Sequence, residues 1–287
     1  MAINIRTNVP SLIAQRNLDS STATLNTSYE RLSSGLRINR ARDDAAGLAI
    51  AESLKADSKI ASVAIRNAND GISIISIADQ AIGQIGNVLT RLAELAEQSA
   101  NGVYANTQRS ALANEFNALA SEIERIAFTT TFNGLRLLSG GGSVVFQVGF
   151  NAASTSQVSY TGVEATLDAL GLANAGTSAL TYSIIDSSDL ASQSAARNAL
   201  DAINAAITSV TRNRGQLGAA ESRLEVTIGN LQVARENFKA AESRIRDVDV
   251  ASEAAELTRV NILQQAGAAI LAQANSQPQL ALQLIGG

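Results

Sequence analysis

Along most of the chain, apolar residues recur at the alternating three- and four-residue spacing of a packed helix. Leu18, Leu25 and Leu32 repeat every seven residues, with Thr22, Tyr29 and Leu36 at the alternate positions. Asn8-Val9-Pro10-Ser11 supplies a helix entry before them, and Gly35 marks a joint after them. Between Asp57 and Ser99, the stripe Ala78, Ile82, Ile85, Leu89, Leu92, Ala96 and Ser99 predicts a supercoiled helix ended by Asn101-Gly102. Gly83 and Gly86 lie inside it and are expected to permit close helix approach, at about 1 kcal/mol each against Ala. A second helix, about Gln108–Ala127, carries Leu112, Phe116, Leu119, Ile123 and Ile126; its short connection predicts antiparallel packing on the first. From Leu200 to Ile245 the same alternation runs unbroken, predicting the longest helix. Arg214, Glu221, Arg235 and Glu242 fall on its seam, where either their stems pack and their heads reach outward, or they fix register.

The middle of the chain changes period. Val144, Phe146 and Val148 alternate with Gln147 and Gly149, and Asn133-Gly134 and Gly140-Gly141-Gly142 are turn signals, so one or two β-hairpins are expected. Leu180–Ile185 is a further strand candidate. The fold class is therefore mainly α: long coiled-coil-like helices from paired N- and C-terminal segments, with a small β-hairpin region mid-chain.

Val260–Gly287 stands apart because it contains no Asp, Glu, Lys or Arg. Its apolar residues spread around the helix circumference, the pattern of a buried helix. Its many uncharged polar side chains make it a poor membrane span, and Pro278 is expected to interrupt it. Two readings follow: a segment buried by other copies of the same chain, or the core helix of a monomer.

Composition narrows the chemistry. Apolar residues make up 46% of the 287-residue chain but aromatics only 3%, as suits long helices with close backbones. Net charge is −4 with both signs interspersed, and there is neither a basic run nor an aromatic platform for nucleic acid. Cys and His are absent, which removes thiolate and histidine nucleophile chemistry and the usual zinc sites. Asp43-Asp44 and Asp247/Asp249 are carboxylate pairs, yet acids on long helices are ordinarily solvent-facing charges, so no catalytic residues and no cofactor are assigned. Arg37, Arg40 and Arg42 beside Asp43-Asp44 form either a solvated segment with local ion pairs or a polar connection between subunits. The N-terminal stretch lacks the apolar core of a Sec-type signal peptide.

The stretches AINIRTNVPSLIAQRNL, LSSGLRINRARDDAAGLAIAESL, FNGLRLL and SRIRDVDVASEAAELTRVNILQQAGAAILAQAN together make the chain closely resemble a bacterial flagellin. The resemblance covers both ends and most of the chain. It implies a secreted filament subunit in which residues 1–42 and 246–287 form inner-tube helices around a channel. Residues 43–162 and 191–245 would form a surrounding rod, and 163–190 a short remnant of a variable outer region. Leu18, Leu25, Leu32, Leu257, Leu263, Ile270 and Leu271 are the subunit-packing candidates, and Gln264, Gln265, Gln273 and Gln283 the lumen-facing ones. Implied partners are identical subunits, a flagellin export chaperone, the filament cap and hook-associated proteins, with export by the flagellar type III apparatus and no membrane insertion. Thr90–Gln98 resembles the segment that the innate receptor TLR5 recognises, placing Arg91, Glu94, Leu95, Gln98 and Glu115 on that family's positions. The nearest alternative is a hook–filament junction protein, which shares the terminal helical pattern.

Overall fold

The computed structural model describes residues 7–140, 143–160, 162–174, 176 and 178–285, with side chains described through 277. Five helices dominate: α1 (Val9–Ser34), α2 (Ala45–Ala100), α3 (Asn106–Thr129), α4 (Asp189–Arg246) and α5 (Val250–Ile285). Strands β1 (Thr131–Phe132) and β2 (Leu135–Arg136) form one antiparallel hairpin, β3 (Val144–Gln147) and β4 (Gln157–Tyr160) another. The chain divides into two compact units, Met1–Ser58 with Glu236–Gly287, and Lys59–Arg235.

The helix ends follow from short polar side chains. The Asn8 side chain accepts from Ser11 N at the start of α1. Asp44 Oδ1 accepts from Gly47 N at 2.8 Å before α2, Ser188 Oγ from Ala191 N at 3.2 Å before α4, and Asp249 Oδ1 from Ala251 N at 3.0 Å before α5. Each satisfies an amide that a helix start leaves unpaired. Gly35 ends α1 at φ 72°, a left-handed conformation that costs a residue with a Cβ about 1–2 kcal/mol.

In the unit Lys59–Arg235, α2 is antiparallel to both α3 and α4. Ser99 meets Arg109 and Arg91 meets Glu115 on one side, while Asp79 meets Arg214 and Gly71 approaches Leu224 on the other. The seam predicted on α2 is its core: Ala78, Ile82, Ile85, Leu89, Leu92 and Ala96 are all buried, against Phe116 and Ile123 of α3 and Ile203, Val210, Leu217 and Leu224 of α4. α2 is long and apolar enough, by length and composition alone, to cross a membrane, a test that a buried core helix also passes. Phe146, Val148 and Val158 of the second hairpin join the same core.

Three expectations change. Leu180–Ile185 is not a strand; it makes a single bridge, Leu180 with Ala173, and Ser183 hydrogen-bonds Ile185 at both its carbonyl and its amide. Val163, Leu167, Leu170, Leu172 and Ile184 are buried, so the low-charge segment packs on the core by irregular turns. Helix α5 continues through Pro278, since a proline removes one amide donor but its φ is itself helical. Gly83 has no neighbour within 4 Å of a Cβ, Gly86 meets Val210 of α4 at an ordinary 3.7 Å, and the tighter approach occurs at Gly71, where a Cβ would lie 3.0 Å from Leu224 Cδ1.

Candidate assembly surface

Helices α1 and α5 pair antiparallel. Asn8 Nδ2 donates to Ala274 O at 2.8 Å, Ser11 Oγ to Asn275 Oδ1 at 2.6 Å, and Gln264 Nε2 to Thr22 Oγ1 at 3.3 Å. Farther along, Arg31 lies 3.7 Å from Glu253. The packing beneath is thin: among the described residues, the apolar side chains that the two helices bury are Ala14, Leu25, Val260 and Ala274. Leu18, Leu32, Leu257 and Leu271 are half-buried, while Leu263 and Ile270 are 47% and 60% exposed. Val9, Leu12, Ile13 and Ile262 are likewise exposed, at 46–61%. Full burial of one such side chain stabilises by about 1.5–3 kcal/mol, so this pair leaves most of its apolar contribution unrealised.

The candidate amides divide. Gln264 faces α1 through its bond to Thr22, whereas Gln265 and Gln273 are exposed; the Gln283 side chain lies outside the described residues. Helical period alone does not fix which side of α5 meets α1; Gln264 lies half-buried on that side.

The joint beyond α1 is held by main-chain contacts. Leu36 bridges Asp247, Arg37 N donates to Arg246 O at 2.6 Å, Val248 N to Gly35 O at 3.0 Å, and Arg37 Nη2 to Ile245 O at 2.6 Å. Asp43 Oδ2 accepts from Arg40 N at 3.0 Å and Asn39 N at 3.2 Å. The Arg40 amide, ahead of the Asn39 amide and Arg42, holds the Asp43 carboxyl below its ordinary range. Both carboxylate pairs are thereby accounted for: Asp43 closes a turn, Asp44 and Asp249 cap helices, and Asp247 pairs through its backbone. Among the described residues, no three His, Cys, Asp or Glu side chains converge as metal ligands would.

On α2 and α3, Arg91 joins Glu94 at 2.7 Å and Glu115 at 2.8 Å, and its guanidinium is held above its ordinary value by Glu94 first and Glu115 second. Gln98 Nε2 donates to Tyr104 OH at 3.2 Å. These four candidates share one exposed face. Leu95 does not: it is 1% exposed, in the core beside Leu92 and Ala96, and is corrected from a surface to a core residue. The heptad seam that explained its neighbours claims it too.

Arg109 was missed. Its side chain is fully buried, and it donates from Nε to Ser99 O at 2.9 Å, from Nη2 to Asn101 O at 3.0 Å, and from Nη1 to Asp189 O at 3.1 Å and Asp189 Oδ1 at 3.2 Å. It ties the end of α2 to the start of α4. The signal was present, because Arg109 lies three residues before Leu112 and so extends the α3 core stripe.

Long capped helices, acids spent on caps and turns, and an uncovered apolar surface on the terminal pair define a structural protein of the self-assembling kind. Residues 5–143 match the bacterial flagellin N-terminal helical region, and 200–285 the bacterial flagellin C-terminal helical region. The chain is 44% identical over 282 residues to a flagellin of Halalkalibacterium halodurans, covering 98% of this chain and 99% of that one. It is 41% identical over 308 residues to a flagellin of Bacillus subtilis, covering 99% and 100%. A crystal structure of Bacillus cereus flagellin is similar at 26% identity with a TM-score of 0.48, over 58% of this chain and 88% of that one. The chain belongs to the bacterial flagellin family, structural subunits of the extracellular flagellar filament rather than enzymes. The full-length relatives are flagellins, and nothing favours a hook–filament junction protein.

Proposed function

We propose that the chain polymerises by completing its terminal helices against identical neighbours, so that α1 and α5 form a wall around a central channel. The exposed Leu12, Ile13, Ile262, Leu263 and Ile270 on a helix pair with almost no core carry this reading. Coupling of folding to association keeps the monomer soluble and the polymer stable. The contacts are head-to-tail and non-closing, as a filament requires. Leu18, Leu25, Leu32, Leu257 and Leu271 serve the pairing of α1 with α5, Leu263 and Ile270 reach neighbouring subunits, and Gln265 and Gln273 serve the lumen. Residues 1–42 and 246–287 act as the inner layer, 43–162 and 191–245 as the outer one, and 163–190 as the reduced outer region.

Before assembly the chain is exported by the flagellar type III apparatus, with a chaperone covering the uncharged C-terminal segment. The filament cap and hook-associated proteins bound the polymer at its ends. The test is removal of everything after Arg259. Seeded with filament fragments, the truncated protein is expected to remain monomeric in electron micrographs; ordinary filaments would end this reading. TLR5 is a further partner, met through Arg91, Glu94, Gln98 and Glu115 on the exposed face of α2 and α3. Arg91→Ala is expected to weaken receptor binding by the purified monomer roughly tenfold, the loss of one charge-assisted contact. Unchanged affinity would remove Arg91 from that surface.

A further inference from the structure

The chain has two Asn-Gly pairs in turns, Asn101-Gly102 and Asn133-Gly134, and the structure treats them differently. Asn101 Oδ1 accepts from Val103 N at 3.1 Å, folding the side-chain amide back across the Gly102 peptide. Among the described residues, the Gly102 N–H has no hydrogen-bond acceptor, and glycine presents no Cβ to hinder the approach of its nitrogen. The side-chain amide is thus held against the turn by a backbone N–H that already donates to the oxygen on which negative charge would develop. Asn133 is held instead in the left-handed turn between β1 and β2, at φ 47° with Gly134 at φ 78°, between the pairs Phe132–Leu135 and Thr131–Arg136. Rotating its backbone to close a ring means undoing that hairpin, and no N–H is recorded donating to its side chain among the described residues.

We infer that Asn101 is a site of spontaneous deamidation and backbone isomerisation, from which the geometry of the second turn protects Asn133. Gly102 N loses its proton to solvent base and bonds to Asn101 Cγ; the Cγ–Nδ2 bond breaks and ammonia leaves with a proton, giving a cyclic imide. Water then opens the imide at either carbonyl, yielding aspartate or isoaspartate. No oxidant, metal or enzyme is involved. The isoaspartate route carries the main chain through Cβ and displaces the Asn101 carbonyl that Arg109 Nη2 holds at 3.0 Å. Ageing at one residue thus loosens the clamp joining α2, α3 and α4.

The test compares the two sites in the full chain, held in warm, mildly alkaline buffer and sampled by peptide mass mapping with isoaspartate detection. In the folded protein, Asn101 is expected to convert at least roughly fivefold faster than Asn133, the worth of one ordinary hydrogen bond. In urea, where both pairs are plain Asn-Gly sequences, the two rates are expected to converge. A ratio that is the same folded and unfolded, or faster conversion at Asn133 in the folded protein, would overturn the inference. Gly102→Ala, whose Cβ would meet only the end of the Gln193 side chain at 3.3 Å, is expected to suppress conversion at Asn101 and leave Asn133 unchanged; undiminished conversion at Asn101 in a folded variant counts against it equally.

Discussion

Arg109 shows what one side chain does when its charge is taken out of water. A buried guanidinium is tolerable only if its donors are matched, and here three main-chain carbonyls and one carboxylate match them. The carboxylate contributes least, because Asp189 is 61% exposed and its attraction is screened. Arg109→Ala strips partners from buried carbonyls and opens a void; the monomer is expected to lose about 3–5 kcal/mol in urea unfolding. Asp189→Ala is expected to cost under about 1 kcal/mol in the same measurement. Equal losses would show that the ion pair, and not the carbonyl clamp, holds the three helix ends. The polar seam residues of α4 follow the same logic at the surface. Arg214 grips Asp79 at 2.8 and 3.1 Å in a half-exposed pair, a contact that adds little energy.

At the scale of elements, helix type was legible because the three-four alternation persists for many turns; the starts were not, since α2 begins at Ala45 and α4 at Asp189, ahead of the expected Asp57 and Leu200. The ends and turns are legible because they act locally: the Asn8 side chain accepts from Ser11 N, and Gly35 and Asn133-Gly134 adopt positive φ. Close approach was not legible, since it depends on what another helix brings opposite. Gly71, not Gly83, meets a neighbour, and its Cβ would press on Leu224 at 3.0 Å and Phe146 at 3.2 Å. Gly71→Ala is expected to lower monomer stability by about 1–3 kcal/mol through overpacking. Gly218→Ala on the exposed, open face of α4 is expected to raise it by up to about 1 kcal/mol, because alanine loses less freedom on entering a helix. Thermal unfolding of the two variants checks both signs at once. The segment Leu180–Ile185 has a strand-like composition, but its residues find burial and hydrogen bonds in turns against the core.

At the scale of the whole molecule, the two units differ in how nearly each is finished. The unit Lys59–Arg235 holds an extensive core of three helices and a hairpin, whereas the α1–α5 pair buries little and leaves large aliphatic side chains in water. A fragment Lys59–Arg235 is expected to unfold cooperatively near the temperature of the full monomer. Amide exchange in the full monomer is expected to leave Val260–Ala274 unprotected until filaments form. A fragment without a cooperative transition, or slow exchange in that segment of the monomer, would reverse this ranking. The sequence alone determined the helices, their seams, the hairpin turns and the uncharged tail, because each is a local or periodic property that repeats along the chain. Tertiary structure decided that Leu95 is core, that Gln264 faces α1, that Arg109 is buried and that Gly71 is the tight contact. Those four depend on which surface meets which, and a one-dimensional period leaves that orientation free.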